Sequence, residues 1–202
     1  IFWCNNIKME SQKTSLLSNL TESIDNKRDD LISLTQDLVK IPTLNPPGEN
    51  YLEICEYLKT RLRKSNFNIE LIRANGSPGD SDKFPRWNII ARREGSGKGD
   101  CVHFNSHTDV VDVGSGWSFD PFGAEINNGR IYGRGTCDMK GGLASSIIAC
   151  EAFLELCPNF NGAIEISGTA DEETGGYGGV AHLAEKGYFS PNRVQHVIIP
   201  EP

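Results

Sequence analysis

Short apolar runs bounded by Gly, Pro, Asn and Asp alternate along this chain with longer segments whose apolar residues recur at helical spacing. The runs at 68–73, 88–93, 101–105, 163–168 and 194–199 are typical of strands. The segments at 25–41, 49–65, 141–157 and about 178–186 are typical of helices. The turn at 127–129, Asn-Asn-Gly, predicts a hairpin between 124–126 and 130–132. The alternation predicts an α/β fold, a three-layer αβα sandwich with helices on both faces of one sheet.

The charge balance and the apolar segments exclude several classes of protein. The 202 residues include 20 Lys and Arg against 27 Asp and Glu, a net charge of −7, without the basic run that a phosphate backbone would need. No apolar stretch approaches the roughly 18 to 20 residues of a membrane-spanning helix. We therefore expect neither a nucleic-acid partner nor a membrane protein. The six cysteines contain no CxxC pair, which favours a reducing cytoplasm.

The two ends of the chain predict a fragment. The length favours one domain with an appendage, and residues 1–24 are predicted to be a polar lead in which Met9 is the candidate true start. At the other end, the apolar strand-like run 197–199 comes just before Pro202, where more structure would normally follow. We therefore expect the chain to be part of a longer protein.

Histidine and carboxylate side chains follow the predicted strands, at the positions where open α/β sheets bind their ligands. His107 comes just after the run at 101–105, and Asp109 could hold its second ring nitrogen, as carboxylates do for metal-bound histidines. Asp138 lies in a glycine-dense turn before an apolar helix. The turn lacks the P-loop spacing and Asp138 would repel an anion, which favours a cation. A structural hydrogen-bonded pair of His107 and Asp109, and a helix N-cap at Asp138, are the alternatives.

Two further acidic clusters complete the pattern. Residues 171–173, Asp-Glu-Glu, place three like charges side by side, which a cation would offset; a solvated acidic turn is the alternative. Glu201 follows the last predicted strand, where an exposed loop residue is the simpler interpretation. The candidate ligands of the four clusters lie 31, 35 and 28 residues apart, in the order His107, Asp138, Glu173 and Glu201. Neighbouring strands would bring all of them to one rim, as a histidine and carboxylate site for zinc, cobalt or manganese.

Four motifs in this order resemble a known family: SHTDVV, WSFDPFGAEINNGRIYGRGTCDMKGG, GTADEETGG and VIIPEP. From about Leu31 to Pro202 the chain is similar to the two-zinc amidohydrolase and metallopeptidase family, which contains acetylornithine deacetylase, succinyl-diaminopimelate desuccinylase, aminoacylase and glutamate-releasing carboxypeptidase. The resemblance implies a mixed, largely parallel sheet, with residues 25–202 as the N-terminal part of a catalytic domain truncated at its C-terminus. The family's final histidine ligand and its inserted lid or dimerisation domain have no counterpart here, so this piece alone is expected to be inactive.

The resemblance also implies the ligands of a two-metal site. Two divalent ions are expected, with zinc as the first choice and cobalt as an alternative. His107 and Glu201 would bind the first ion, Glu173 would bind the second, and Asp138 would bridge both. The likeness further implies a cis peptide bond between Asp138 and Met139.

The activity that the resemblance implies is hydrolysis of the amide bond of an N-acyl amino acid by a metal-bound water. Glu172 would be the general base, and Asp109 would orient the His107 ring. The combination of GRGTCDMKGG with IIPEP looks most like the deacetylase and desuccinylase branch, and the acyl group and amino acid stay open. A zinc dipeptidase or carboxypeptidase of the same family, and a non-catalytic scaffold, are the alternatives. The expected partner is a small N-acyl amino acid, and the full-length protein is expected to be a cytoplasmic homodimer.

Overall fold

The structure is a computed structural model that describes the backbone of residues 2–202 and the side chains of residues 13–202. Cys4 and the candidate start Met9 therefore lie outside the described side chains. The helices are α1 (Phe2–Asn26), α2 (Arg28–Val39), α3 (Tyr51–Lys64), α4 (Gly141–Leu156) and α5 (His182–Glu185). The strands are β1 (Asn68–Arg73), β2 (Trp87–Glu94), β3 (Gly97–His107), β4 (Glu125–Asn127), β5 (Arg130–Tyr132), β6 (Asn161–Thr169) and β7 (His196–Ile198). Within residues 2–202, no helix is both long and apolar enough to cross a membrane.

The predicted helices and strands are found within a few residues of their predicted bounds, with two differences. The polar lead is part of the long helix α1. The helix predicted for about 178–186 is reduced to the short α5, because the preceding turn Tyr177–Ala181 contains Gly179 in a non-helical conformation. Gly179 lies so close to the Ala170 carbonyl that a Cβ would not fit, so this glycine is required for close packing rather than for a helix.

The main sheet has five strands in the order β1-β2-β6-β3-β7. The pairings of β1 with β2 and of β2 with β6 are antiparallel. The pairings of β6 with β3 and of β3 with β7 are parallel. The sheet is therefore mixed, as predicted, with its parallel part at the β7 edge, and β4 and β5 form the predicted hairpin apart from it.

The sheet lies between two layers. On one face, Ile89 and Ile166 pack with Leu58 of α3 in the main core, to which α2 and α4 also contribute. On the other face, the buried His103 ring meets the ring of Phe189 edge-on, with centroids 5.0 Å apart. Strand side chains alternate between the faces of a sheet, so the apolar core forms on one side and a polar layer on the other. The predicted α/β fold with a layer on each face of the sheet is therefore confirmed.

The carboxyl ends of three strands meet at one rim of the sheet. The strands β6 and β7 both pair in parallel with β3, and His107 at the end of β3 is in register with Thr169 at the end of β6. The loops after these strands therefore begin on the same side of the sheet. In open α/β sheets this is the side where ligands bind.

Candidate metal centre

His107 lies at the centre of the rim. Its side chain is 1% exposed, and its Nε2 lies 2.9 Å from Asp138 Oδ1 and 3.2 Å from Glu201 Oε1. Glu172 Oε2 is 3.9 Å from the same nitrogen. The imidazole is therefore surrounded by carboxylates from three separate segments of the chain.

Asp138 reaches His107 from an irregular turn, Thr136–Lys140, that leads into α4. Asp138 and Met139 have non-helical backbone angles inside this turn, and the Asp138–Met139 peptide bond is cis, which confirms the prediction. Gly135, directly before the turn, has a φ of 85°, a conformation that glycine adopts without steric cost. The buried Lys140 closes the turn by donating from Nζ to the carbonyls of Leu38 and Ile41 at 3.0 and 2.7 Å.

The segment 171–176, which we call the glutamate loop, begins two residues after β6 and presents Glu172 and Glu173 to the same site. The backbone amides of Glu172 and Glu173 both donate to the Asp109 carboxylate at 3.2 Å. Asp109 is fully buried, so this contact is shielded from solvent. The backbone of the loop is therefore held in place. The directions of the two glutamate side chains are set by this backbone and not by hydrogen bonds of the side chains themselves.

The described side chains form two groups in which three ligand atoms all lie within 4.8 Å of one another. The first group contains His107, Asp138 and Glu173, and the second contains His107, Glu172 and Glu201. All four of the ligands expected from the sequence are thus brought to one place, with Glu172 among them. The two groups share His107, whose Nε2 has one lone pair and can bind one cation, so they are overlapping arrangements around the same nitrogen.

The electrostatics of the site fit a divalent cation. Burial raises the pKa of the Glu173 and Glu201 carboxyls, and the Asp138 carboxylate raises both further. Burial alone would lower the pKa of His107, but the Asp109 carboxylate and the carboxylates of Asp138 and Glu201 raise it to about 9. Among residues 13–202, the ion pairs of Asp138, Glu172 and Glu201 are all with His107, and none involves Lys or Arg. A histidine with several carboxylates is a donor set that suits zinc, cobalt or manganese.

The carboxylate of Asp109 has a different role from the one that the sequence predicts. The prediction is that this carboxylate holds the second nitrogen of His107, but the closer acceptor for Nδ1 is the backbone carbonyl of Asp109, at 2.9 Å. The carboxylate Oδ1 is 3.4 Å away. Its oxygens instead accept hydrogen bonds from the glutamate loop and from Asn45, whose Nδ2 lies 2.8 Å from Oδ2.

Asn45 is a residue of the site that the sequence did not reveal. It is fully buried, and its Nδ2 donates both to Asp109 and, at 2.9 Å, to the Thr174 hydroxyl. Asn45 lies in the turn at 42–48, whose three prolines and one glycine are typical of a rigid loop and indicate no role in the site. Asn45 thus joins the loop after α2 to Asp109 and the glutamate loop.

Comparison with known proteins finds a matching family and several relatives. The model described as peptidase family M20/M25/M40 matches residues 103–202. A succinyl-diaminopimelate desuccinylase of Blochmanniella pennsylvanica is 32% identical over 174 residues, which are 85% of this chain and 43% of that protein. A probable succinyl-diaminopimelate desuccinylase of Staphylococcus epidermidis is 37% identical over 175 residues, 86% of this chain and 39% of that protein. The chain spans about two fifths of the length of these curated relatives.

The fold also matches a solved structure. The di-peptidase Dug1p from Saccharomyces cerevisiae superposes with a TM-score of 0.78 at 20% identity, covering 91% of this chain and 40% of the dipeptidase. At this identity the likeness concerns the fold alone. The family model and the two relatives show that residues 103–202 of this chain belong to a domain of peptidase family M20/M25/M40.

Proposed function

We propose that the chain is the N-terminal part of the catalytic domain of a metal-dependent hydrolase that cleaves the amide bond of an N-acyl amino acid. The domain would comprise residues 25–202, with residues 1–24 as an appendage. The observation that carries the proposal is the convergence of four carboxylates, from three segments of the chain, around the buried His107. Such a cluster of like charge is costly unless a cation offsets it.

The residues proposed to hold the cations are His107, Asp138, Glu173 and Glu201. Two divalent ions, zinc in our proposal and cobalt as the alternative, would lower the pKa of a shared water to about 7 and polarise the scissile carbonyl. The groups His107–Asp138–Glu173 and His107–Glu172–Glu201 overlap at His107, so four carboxylates lie around one site. Asp138, which belongs to the same group as His107 and Glu173 and lies 2.9 Å from His107 Nε2, is proposed to bind both ions.

Glu172 is proposed to move the protons of the reaction. Its side chain is 51% exposed, so it can reach a substrate, whereas its backbone is fixed through Asp109. As a general base Glu172 would accept a proton from the attacking water. As a general acid it would then donate that proton to the departing nitrogen, so that the amine leaves neutral. Asp109 would hold the His107 ring through its carbonyl and the glutamate loop through its carboxylate.

The relatives' names favour an N-succinyl amino acid as the substrate, and a panel of substrates tests this. The zinc-loaded full-length protein is expected to hydrolyse N-succinyl-diaminopimelate or N-acetylornithine with a kcat/KM at least about tenfold above that for dipeptides. The released amine would be measured with and without a chelator, and the chelator should abolish turnover. Faster hydrolysis of dipeptides would support the dipeptidase alternative. No turnover of any substrate by the metal-loaded protein would support a scaffold.

The location, the oligomeric state and the partner complete the proposal. The full-length protein is proposed to be a cytoplasmic homodimer whose partner is a small N-acyl amino acid. The net charge of −7 supports the absence of a nucleic-acid partner, because a phosphate backbone would be repelled.

A further inference from the structure

A buried arginine joins the glutamate loop to two other segments. Arg86 is 4% exposed, and its Nε lies 3.0 Å from Oδ1 and 3.2 Å from Oδ2 of Asp171, the first residue of the loop. Its Nη1 donates to the carbonyls of Pro47 and Phe84 at 2.6 and 2.9 Å. One guanidinium therefore connects the segment before β2, the loop after α2 and the glutamate loop.

Tyr51, the first residue of α3, is a second anchor for the same aspartate. Its hydroxyl accepts a hydrogen bond from the backbone amide of Asp171 at 3.0 Å and donates to Oδ1 at 3.2 Å. Both residues are almost fully buried. Asp171 has a φ of 61°, in the left-handed region that non-glycine residues seldom adopt, so its conformation has to be imposed by its surroundings.

The packing around Arg86 is close on three sides. A Cβ added at Gly48, Gly79 or Gly178 would overlap with the Arg86 side chain. These glycines belong to three separate loops, and each loop approaches the arginine directly. The arginine is thus enclosed by backbone, and a side chain without its charge and length would remove the donor that the Pro47 carbonyl, the Phe84 carbonyl and the Asp171 carboxylate share.

Glu172 depends on this arrangement because its own side chain is weakly held. Among residues 13–202, its one ion pair is with His107, at 3.9 Å. Its backbone amide donates to the Asp109 carboxylate, and the backbone amide of the preceding residue, Asp171, donates to the Tyr51 hydroxyl. The direction of the Glu172 carboxylate is therefore set by the backbone of the loop.

We propose that Arg86, acting through Asp171 and supported by Tyr51, is a positioning residue for Glu172. It lies beside the loop that presents both glutamates and is not itself placed to touch substrate or metal. Its role in turnover rests on the proposed function, since it requires Glu172 to be the proton-transferring group. Its role in holding the loop can be measured without any reaction.

The first test measures amide hydrogen exchange of the glutamate loop by mass spectrometry in the zinc-loaded full-length protein. Arg86→Met is expected to increase exchange in this loop by at least about tenfold, because local opening becomes easier. The matched control is Arg93→Met, in β2, whose Nη1 donates to the Ser65 carbonyl at 2.6 Å away from the loop. Equal exchange in both variants would overturn the proposal.

A milder variant covers the case in which Arg86→Met does not fold. Tyr51→Phe keeps the ring and removes both hydrogen bonds to Asp171, and it should increase exchange of the same loop to a smaller extent. Unchanged exchange in this variant would also overturn the proposal.

The second test asks whether Arg86 acts through Glu172. Arg86→Met is expected to lower kcat by about 10- to 100-fold, with KM within about twofold, because a small misplacement of a reacting group is costly. In a Glu172→Gln background the same change should cause no further loss, whereas a general folding defect would multiply the two effects. Full multiplication contradicts the inference. If no substrate is hydrolysed, the proposed function fails, and the exchange measurement still decides whether Arg86 holds the loop.

Discussion

Glu172→Gln is expected to lower turnover of the full-length enzyme by at least about 10² to 10⁴-fold while leaving its metal content unchanged. The substitution keeps the size of the side chain and removes the group proposed to accept and return the proton. Turnover would be measured alongside bound zinc. Glu125→Gln, an exposed glutamate of β4, is the matched control and should keep normal turnover. A Glu172→Gln protein with full activity would contradict the proposed role.

The neighbouring variant, Glu173→Gln, separates the roles of the two adjacent glutamates. Glu173 belongs to the group with His107 and Asp138, so its loss should weaken metal binding rather than remove the base. Its activity should be partly restored by excess zinc or cobalt, because mass action offsets an affinity defect. No such recovery is expected for Glu172→Gln. If Glu172→Gln lost metal while Glu173→Gln kept it, the two assignments would be reversed.

His107→Ala is expected to have the largest effect on metal binding, since His107 is the one residue common to both groups of candidate ligands. Loss of a residue that only orients a ligand typically costs 10- to 100-fold in metal affinity, so loss of His107 itself should lower zinc affinity by at least about 100-fold. Zinc titration by calorimetry measures this directly. His196→Ala is the control, because His196 is exposed and pairs with Asp100 at 3.1 Å on another part of the surface. Unchanged zinc affinity in His107→Ala would contradict the site.

Local patterns were sufficient to predict most elements of the fold. The almost continuous apolar composition of α4 and the short bounded run of β6 are properties of neighbouring residues, and both elements are found close to their predicted bounds. The Asn-Gly turn predicted the hairpin of β4 and β5 for the same reason. The exception, the shortened α5, depends on the contact of Gly179 with Ala170, which is a tertiary effect that no local pattern contains.

The sequence was also sufficient to predict where the candidate ligands lie, but not which residues hold the loops that carry them. His107, Glu172 and Glu173 follow strands whose carboxyl ends meet, so their convergence follows from topology. By contrast, Arg86 and Asp171 are 85 residues apart in the chain, and nothing near either one predicts the pair. Asn45 and Asp109 are likewise 64 residues apart. Contacts of this kind are decided by how the loops pack, after the elements have formed.

The most direct test of the account is anomalous diffraction at the zinc edge from crystals of the zinc-loaded full-length protein. We predict two peaks about 3.5 to 4 Å apart. One should lie at His107 Nε2 and the Glu201 carboxylate, the other at the Glu173 carboxylate, with Asp138 between them. The absence of a peak at His107, or zinc bound at a different rim of the sheet, would contradict the central claim that these residues form the metal centre.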